Sequence, residues 1–235
     1  MTFAEVMTAL EKLGTEQTRK TWTKQGAVGD FWGVKIGDMK VVQKKIKHNH
    51  ELALALYNTR NADAMYFAGL ISEPQKMSKA DLQHWAEEAT WYMLSEYTVA
   101  WAASESNFGR ELAIEWMDSE KELVAAAGWS TYSNLLALKP DEELNEKEIK
   151  ALLQRMATTI QQETNRVKYT MNGFLISVGA HFVPLADEAK KVAKEMGIVS
   201  IDMGGTACKV PDALAYIEKI EATGKAGKKK KTVFC

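Results

Sequence analysis

The sequence predicts an all-α protein assembled from stacked helix pairs, and three observations carry that expectation. Apolar residues recur at helical spacing through most of the 235 positions, helix start signals recur between them, and only four prolines interrupt the chain. The count of helical segments, about a dozen of 8 to 20 residues, exceeds what one four-helix bundle uses and favours paired helices stacked in an array. With 46% hydrophobic residues the chain can bury one substantial core. The net charge of -1 names no polyanionic partner, so any electrostatic binding must rest on local patches.

Taken in order, the first stretch, MTFAEVMTALEKLG, carries charges within its opening turns and does not read as a secretory signal. In GDMKVVQKKIKHNH, Met39, Val42 and Ile46 form an apolar stripe, with Lys40, Lys44 and Lys47 on another side and Lys45 beside them. A break follows at Glu73-Pro74. Ser78, three residues before Asp81, predicts a capping box for a long helix or two abutting ones reaching to about residue 105. Its stripe is Leu82, Trp85, Ala89, Tyr92, Met93 and Ala100, which leaves Trp91 on a polar side with His84, Glu88, Ser95 and Thr98. An indole there either stacks on a nucleobase or is covered by the next helix.

Ser119 with Glu122, and Asn145 with Glu148, predict two further helix starts, separated by a break at Lys139-Pro140. In TNRVKYTMNGFLISVGAHF the core stripe is Val167, Met171, Phe174, Leu175 and Val178. Arg166, Thr170, Gly173 and Ser177 make a second face. A glycine inside a helix costs about 1 kcal/mol relative to alanine, so Gly173 predicts close approach of a neighbouring helix, ahead of approach by a ligand. Pro184 and Pro211 suit first helical turns. Between them, GIVSIDMGGTACKVPDA alternates as a strand would on both sides of two glycines. It predicts a small hairpin over about 198–210, turning at Gly204-Gly205, with Val199, Ile201, Cys208 and Val210 inward and Lys209 outward. The expected division is one domain over 1–222 and a basic tail over 223–235, where KAGKKKK holds Lys228, Lys229 and Lys230.

The chain has no P-loop, no GxGxxG after a strand, no HExxH, no CxxC and no GxSxG. His48 and His50 lie two apart among lysines, which repel a cation, so neither a metal nor a cofactor is expected. Two cysteines give no disulfide framework, and no apolar run approaches the roughly 20 residues that span a bilayer. The expected setting is a soluble monomer in the cytoplasm. What remains for function is basic residues and aromatics, and two lysine clusters in an otherwise neutral chain favour a nucleic acid.

Two long segments carry a resemblance. FWGVKIGDMKVVQKKIKHNHELALALYNTRNADAMYFAGLISEP resembles the N-terminal signature of the HEAT-like-repeat alkylpurine DNA glycosylase family, of the AlkD type. The chain from Thr164 to Ile220 is similar to the C-terminal part of a divergent branch of the same superfamily. The resemblance implies a curved α-solenoid of HEAT-like repeats whose concave basic surface cradles duplex DNA, and a substrate class of N3- and N7-alkylated purines. It also implies an aspartate one turn after a tryptophan, and an arginine on a later helix. Laid on this chain, those positions hold Trp91, Ser95 and the alanines Ala125, Ala126 and Ala127, with Glu96 adjacent but rotated about 100° away. No catalytic residue is expected. The reading that follows is a DNA-binding relative that recognises distorted or branched DNA through its backbone, using Lys44, Lys45, Lys47, Trp91, Arg166, Lys168, Lys209, Lys228, Lys229 and Lys230. An active glycosylase with relocated groups and a protein-binding scaffold are the alternatives.

Overall fold

The computed structural model describes residues 1–203 and 209–234. These form thirteen α-helices: α1 Phe3–Leu13, α2 Glu16–Lys24, α3 Ile36–Ile46, α4 His50–Tyr57, α5 Ala62–Ile71, α6 Lys79–Glu88, α7 Ala100–Ser104, α8 Gly109–Met117, α9 Glu122–Leu138, α10 Glu146–Thr159, α11 Asn165–His181, α12 Ala186–Met196 and α13 Ala213–Ala222. A π-helical turn, Leu94–Val99, runs directly into α7.

From α4 onward the helices come in pairs. Their second members (α5, the π-helical turn with α7, α9, α11, α13) pack side by side in a continuous row, while the first members (α4, α6, α8, α10, α12) touch one another sparsely. The apolar stripes read from the sequence point into this array: Met39 and Val42 of α3, and Val167, Met171, Phe174, Leu175 and Val178 of α11 are buried. Two clusters of core residues, one from Val6 to Ala127 and one from Ala113 to Ile217, meet where α8 crosses α9. Small residues make that crossing close. A Cβ on Gly128 would sit 2.8 Å from the Ala113 carbonyl oxygen, and Ala125, Ala126 and Ala127 beside it are buried.

The aromatic-Gly-Val start is a structural clasp. The backbone N–H groups of Trp32, Gly33 and Val34 donate to the Asp63 carboxylate at 2.6, 3.0 and 2.7 Å, tying the loop before α3 to the start of α5. Gly33 has φ +78°, and a Cβ there would meet the Arg19 backbone nitrogen at 2.5 Å, so no other residue fits.

Several start signals sit where the sequence places them. Ser78 and Asp81 form the capping box of α6, and Asn145 caps α10. Ser119 does not cap α9; its hydroxyl accepts from the Lys121 N–H, and the helix begins at Glu122 with no side-chain cap. The long run after Ser78 is two helices, because α6 stops at Glu88 and the chain restarts after Trp91.

The hairpin is a correction. Among the described residues there is no strand: 198–203 and 209–210 are irregular, and Gly204-Gly205 and Cys208 lie outside the described residues. The inward and outward alternation is present, with Val199 buried, Ile201 half-buried, and Ser200 and Asp202 exposed. Among the described residues this segment bonds to α11. Asn165 Nδ2 donates to the Asp202 carbonyl at 2.6 Å while the Asp202 N–H donates to Asn165 Oδ1 at 2.7 Å, and Asn172 donates to the Pro211 carbonyl. An asparagine side chain thus supplies the donor and acceptor that a neighbouring strand would have offered.

The lysine-rich segment after α13 folds back over the ends of three helices. The Gly227 N–H donates to the Ala180 carbonyl at the end of α11, and the Lys230 N–H to the Ala137 carbonyl at the end of α9. Beyond α7, Thr232 and the Val233 N–H donate to Glu105, and Phe234 lies 5.7 Å from the Trp101 ring.

Candidate functional site

The middle of the second-helix row holds a buried ion pair that the sequence does not announce. The Arg166 guanidinium, in the first turn of α11, donates from Nε and Nη2 to the two oxygens of Glu96 at 2.7 and 2.6 Å. The side chains are 14% and 4% exposed, so little water competes for either group. Arg166 lies 4.3 Å from the Tyr92 ring centroid and 4.5 Å from that of Tyr169, which holds the plane of the guanidinium between two rings. The Arg166 N–H donates to Glu122 at 2.7 Å, so a carboxylate also sits at the N-terminus of α11.

The π-helical turn puts Glu96 there. In that turn the backbone bonds run i→i+5, so one extra residue is accommodated and the side chains after Met93 are re-aimed. The aromatic and the acid that both meet Arg166 are Tyr92 and Glu96, one position later than Trp91 and Ser95. Trp91 is 2% exposed, its indole N–H donates to the Gln25 carbonyl, and its ring lies 4.7 Å from that of Trp22. It is a core residue, not a stacking platform, and Ser95 is fully buried behind it. The helical phase that placed Trp91 outside does not survive the break between α6 and the π-helical turn.

Burial pushes the Glu96 carboxyl up to about 7, while the hydrogen bonds and charge of Arg166 pull it down less strongly. Burial also raises the Tyr97 hydroxyl well above its ordinary range.

Beside the ion pair a cleft of about 180 Å³ opens between the π-helical turn, α9 and α11. Its walls include Glu96, Ser133, Asn134, Tyr169, Gly173 and Ser177. Gly173 does not receive a neighbouring helix: a Cβ there meets nothing within 4 Å. The close approach expected at that position is absent, and the missing side chain leaves open space.

The lysines singled out by the sequence do not form one patch. Lys44, Lys45 and Lys47 are exposed at the end of α3 and Lys168 is half-buried on α11. Lys209 is exposed. Lys228 and Lys230 are exposed, but Lys229 Nζ is spent: it donates to the Leu136 and His181 carbonyls at 2.8 and 2.7 Å and pairs with Asp141 at 2.7 Å. Arg166 and Lys229 belong to opposite ends of α11, about 24 Å apart by helical rise.

Paired helices in a continuous row, with a charged and aromatic site on the row itself, define a HEAT-like repeat protein. A structural relative described as belonging to a new family of proteins related to the HEAT-like repeat DNA glycosylases with affinity for branched DNA structures matches at 42% identity and a TM-score of 0.91, with 100% of both chains covered. Uncharacterized proteins of Listeria monocytogenes and Listeria innocua are each 36% identical over 225 residues, covering 93% of this chain and 97% of theirs. The model of the family described as DNA alkylation repair enzyme matches residues 6–196, and the chain belongs to that family. Among the described residues no helix is long and apolar enough to cross a membrane.

Proposed function

We propose that this protein binds distorted or branched DNA through phosphate and shape contacts, and that it has lost efficient base excision. The observation that carries the reading is the Glu96–Arg166 pair. Excision needs an anion free to stabilise positive charge developing on the sugar, and an arginine free to act separately. Here the acid and the arginine neutralise each other at 2.6 Å. When Glu96 holds a proton instead, it offers no anion either.

Support for DNA comes from family membership and from the solved relative's affinity for branched DNA. The layering agrees with it. A row of second helices in close contact, beside first helices that touch sparsely, is the packing expected of a curved solenoid with the second helices on its concave side. Such a surface meets a duplex by its backbone. Lys44, Lys45, Lys47, Lys168 and Lys209 are the cations that this reading places on phosphates, with the protein acting as a cytoplasmic monomer without a cofactor. A second reading, an active alkylpurine glycosylase, is favoured by one observation: Tyr92 and Glu96 restore an aromatic-x-x-x-acid spacing beside an arginine.

Two measurements made together separate these readings. Gel shifts with linear, bulged, three-way and four-way DNA of equal length are expected to show tightest binding to the branched forms, with affinity falling steeply as salt rises. Incubation with methylated DNA is expected to release no base above background. Equal affinity for all four forms would remove the branched-DNA reading, and release of a methylated purine would establish the glycosylase.

A further inference from the structure

The cleft beside Glu96 has a chemistry that phosphate contacts do not use. It is lined by hydroxyls, one amide and tyrosine rings, and no lysine contributes to it. The one guanidinium nearby is bonded through two nitrogens to Glu96, so an incoming phosphate would meet a carboxylate with no free cation. That excludes an anion as the occupant and fits a neutral, planar, polar one.

The walls supply what such a group needs. Tyr97 and Tyr169 offer ring surface, with Arg166 stacked on Tyr169 to hold its orientation. The Asn134 side chain and the Ser130 and Ser177 hydroxyls form no hydrogen bond among the described residues, leaving both donors and acceptors in the cleft. Ser133 donates to the Trp129 carbonyl and retains its acceptor capacity. The volume of about 180 Å³ falls below the roughly 300–1,000 Å³ of sites for drug-sized ligands, which limits the occupant to one ring system. Gly173 leaves that space open, in the interior of a 17-residue helix where alanine would be about 1 kcal/mol better.

We propose that this cleft receives one unstacked nucleobase from the bound DNA. The proposal rests on the DNA-binding reading above and deepens it: distorted DNA presents bases that are already unpaired, and a base taken up between Tyr169 and Asn134 makes that distortion recognisable. Base stacking on aromatic side chains is sequence-tolerant, so the cleft reads the absence of pairing and not a sequence.

The test compares two three-way junctions that differ at one unpaired nucleotide at the branch point, one carrying its base and one abasic. The wild-type protein is expected to bind the abasic junction roughly tenfold more weakly, the scale of one lost base stack. Gly173→Leu fills the cleft at an open helical position. It should keep the melting temperature and bind both junctions equally, near the affinity of the wild type for the abasic one. Asn134→Ala, on the opposite wall, should reduce the discrimination without abolishing it. A wild-type protein that binds both junctions equally tightly overturns the cleft and leaves DNA binding intact, as does full discrimination retained by both variants. A wild-type protein that binds neither overturns DNA binding and the cleft with it.

Discussion

The lysines at the end of α3 and those that follow α13 differ in what their charge is doing. Lys44, Lys45 and Lys47 have no ion pair among the described residues and stand in solvent. Lys229, in the densest basic run of the chain, is turned inward onto two helix-end carbonyls and Asp141. Helix C-termini carry partial negative charge and unpaired carbonyls, so a lysine beside them saturates both. Arg166 is spent in a similar way on Glu96. A cation can therefore belong to the fold or to a partner, and partners and burial, not local charge density, decide which.

Breaking the most buried pair should have the largest effect. Arg166→Ala leaves the Glu96 carboxyl without a partner in a site only a few per cent exposed, which typically costs about 3–5 kcal/mol. For a chain of this size that lowers the melting temperature by about 10 °C at pH 8. The double change Arg166→Met with Glu96→Gln removes both charges and should recover most of the loss. A cost below about 1 kcal/mol for Arg166→Ala would mean that Arg166 is a free cation like those of α3.

The same pair predicts a pH dependence. Glu96 has a folded value of about 7 against an ordinary value of 4.5, so between those limits the folded protein binds more protons than the unfolded chain. The Glu96 contribution is fully present below about 4.5 and is lost as pH rises through about 7, a change on the order of 3 kcal/mol. Denaturant melts of wild type and Glu96→Gln at pH 5 and pH 8 read it directly. The wild type should lose more stability than the variant between the two; a wild type that gains relative to Glu96→Gln would show that attraction to Arg166 outweighs burial.

Which of these features could be read from the residues follows from their range in sequence. The stripes of α3 and α11 and the caps at Ser78 and Asn145 depend on neighbours three or four positions away, and these appear in the structure, with Ile46 half-buried. The sequence phase puts Trp91 outside because it is carried through the break between α6 and the π-helical turn, and it turns Glu96 away because that turn adds one residue, which no local signal in LSEYTV marks. The strand-like alternation of Val199 to Asp202 is legible, but its contact with Asn165, 37 positions earlier, is not, because no local pattern joins residues so far apart. Gly173 pointed to something nearby, and its open space became apparent only with α9 and the π-helical turn in place.

Releasing the strap should have an intermediate effect. Lys229→Met keeps the aliphatic stem and removes the ammonium, leaving Asp141 and two carbonyls without that donor at a site 21% exposed on the lysine side. The expected cost is about 1–2 kcal/mol, with faster tryptic cleavage after Lys225 to Lys231. Lys228→Met, on an exposed neighbour, should stay within about 0.5 kcal/mol of wild type. Equal behaviour of the two variants would mean that the strap is held by its backbone alone.

The smallest effect on stability should accompany the largest effect on salt dependence. Each of Lys44→Ala, Lys45→Ala and Lys47→Ala should change stability by less than about 0.5 kcal/mol, because these side chains are exposed and unpaired among the described residues. Each one that contacts a phosphate should lower the slope of log affinity against log salt by about 1. Lys229→Met should leave that slope unchanged, since its charge is already neutralised within the fold. If Lys229→Met flattens the slope and the α3 variants do not, then the strap lifts from the helix ends when DNA arrives. In that case the division between structural and partner-binding cations drawn from the unbound molecule is reversed in the complex.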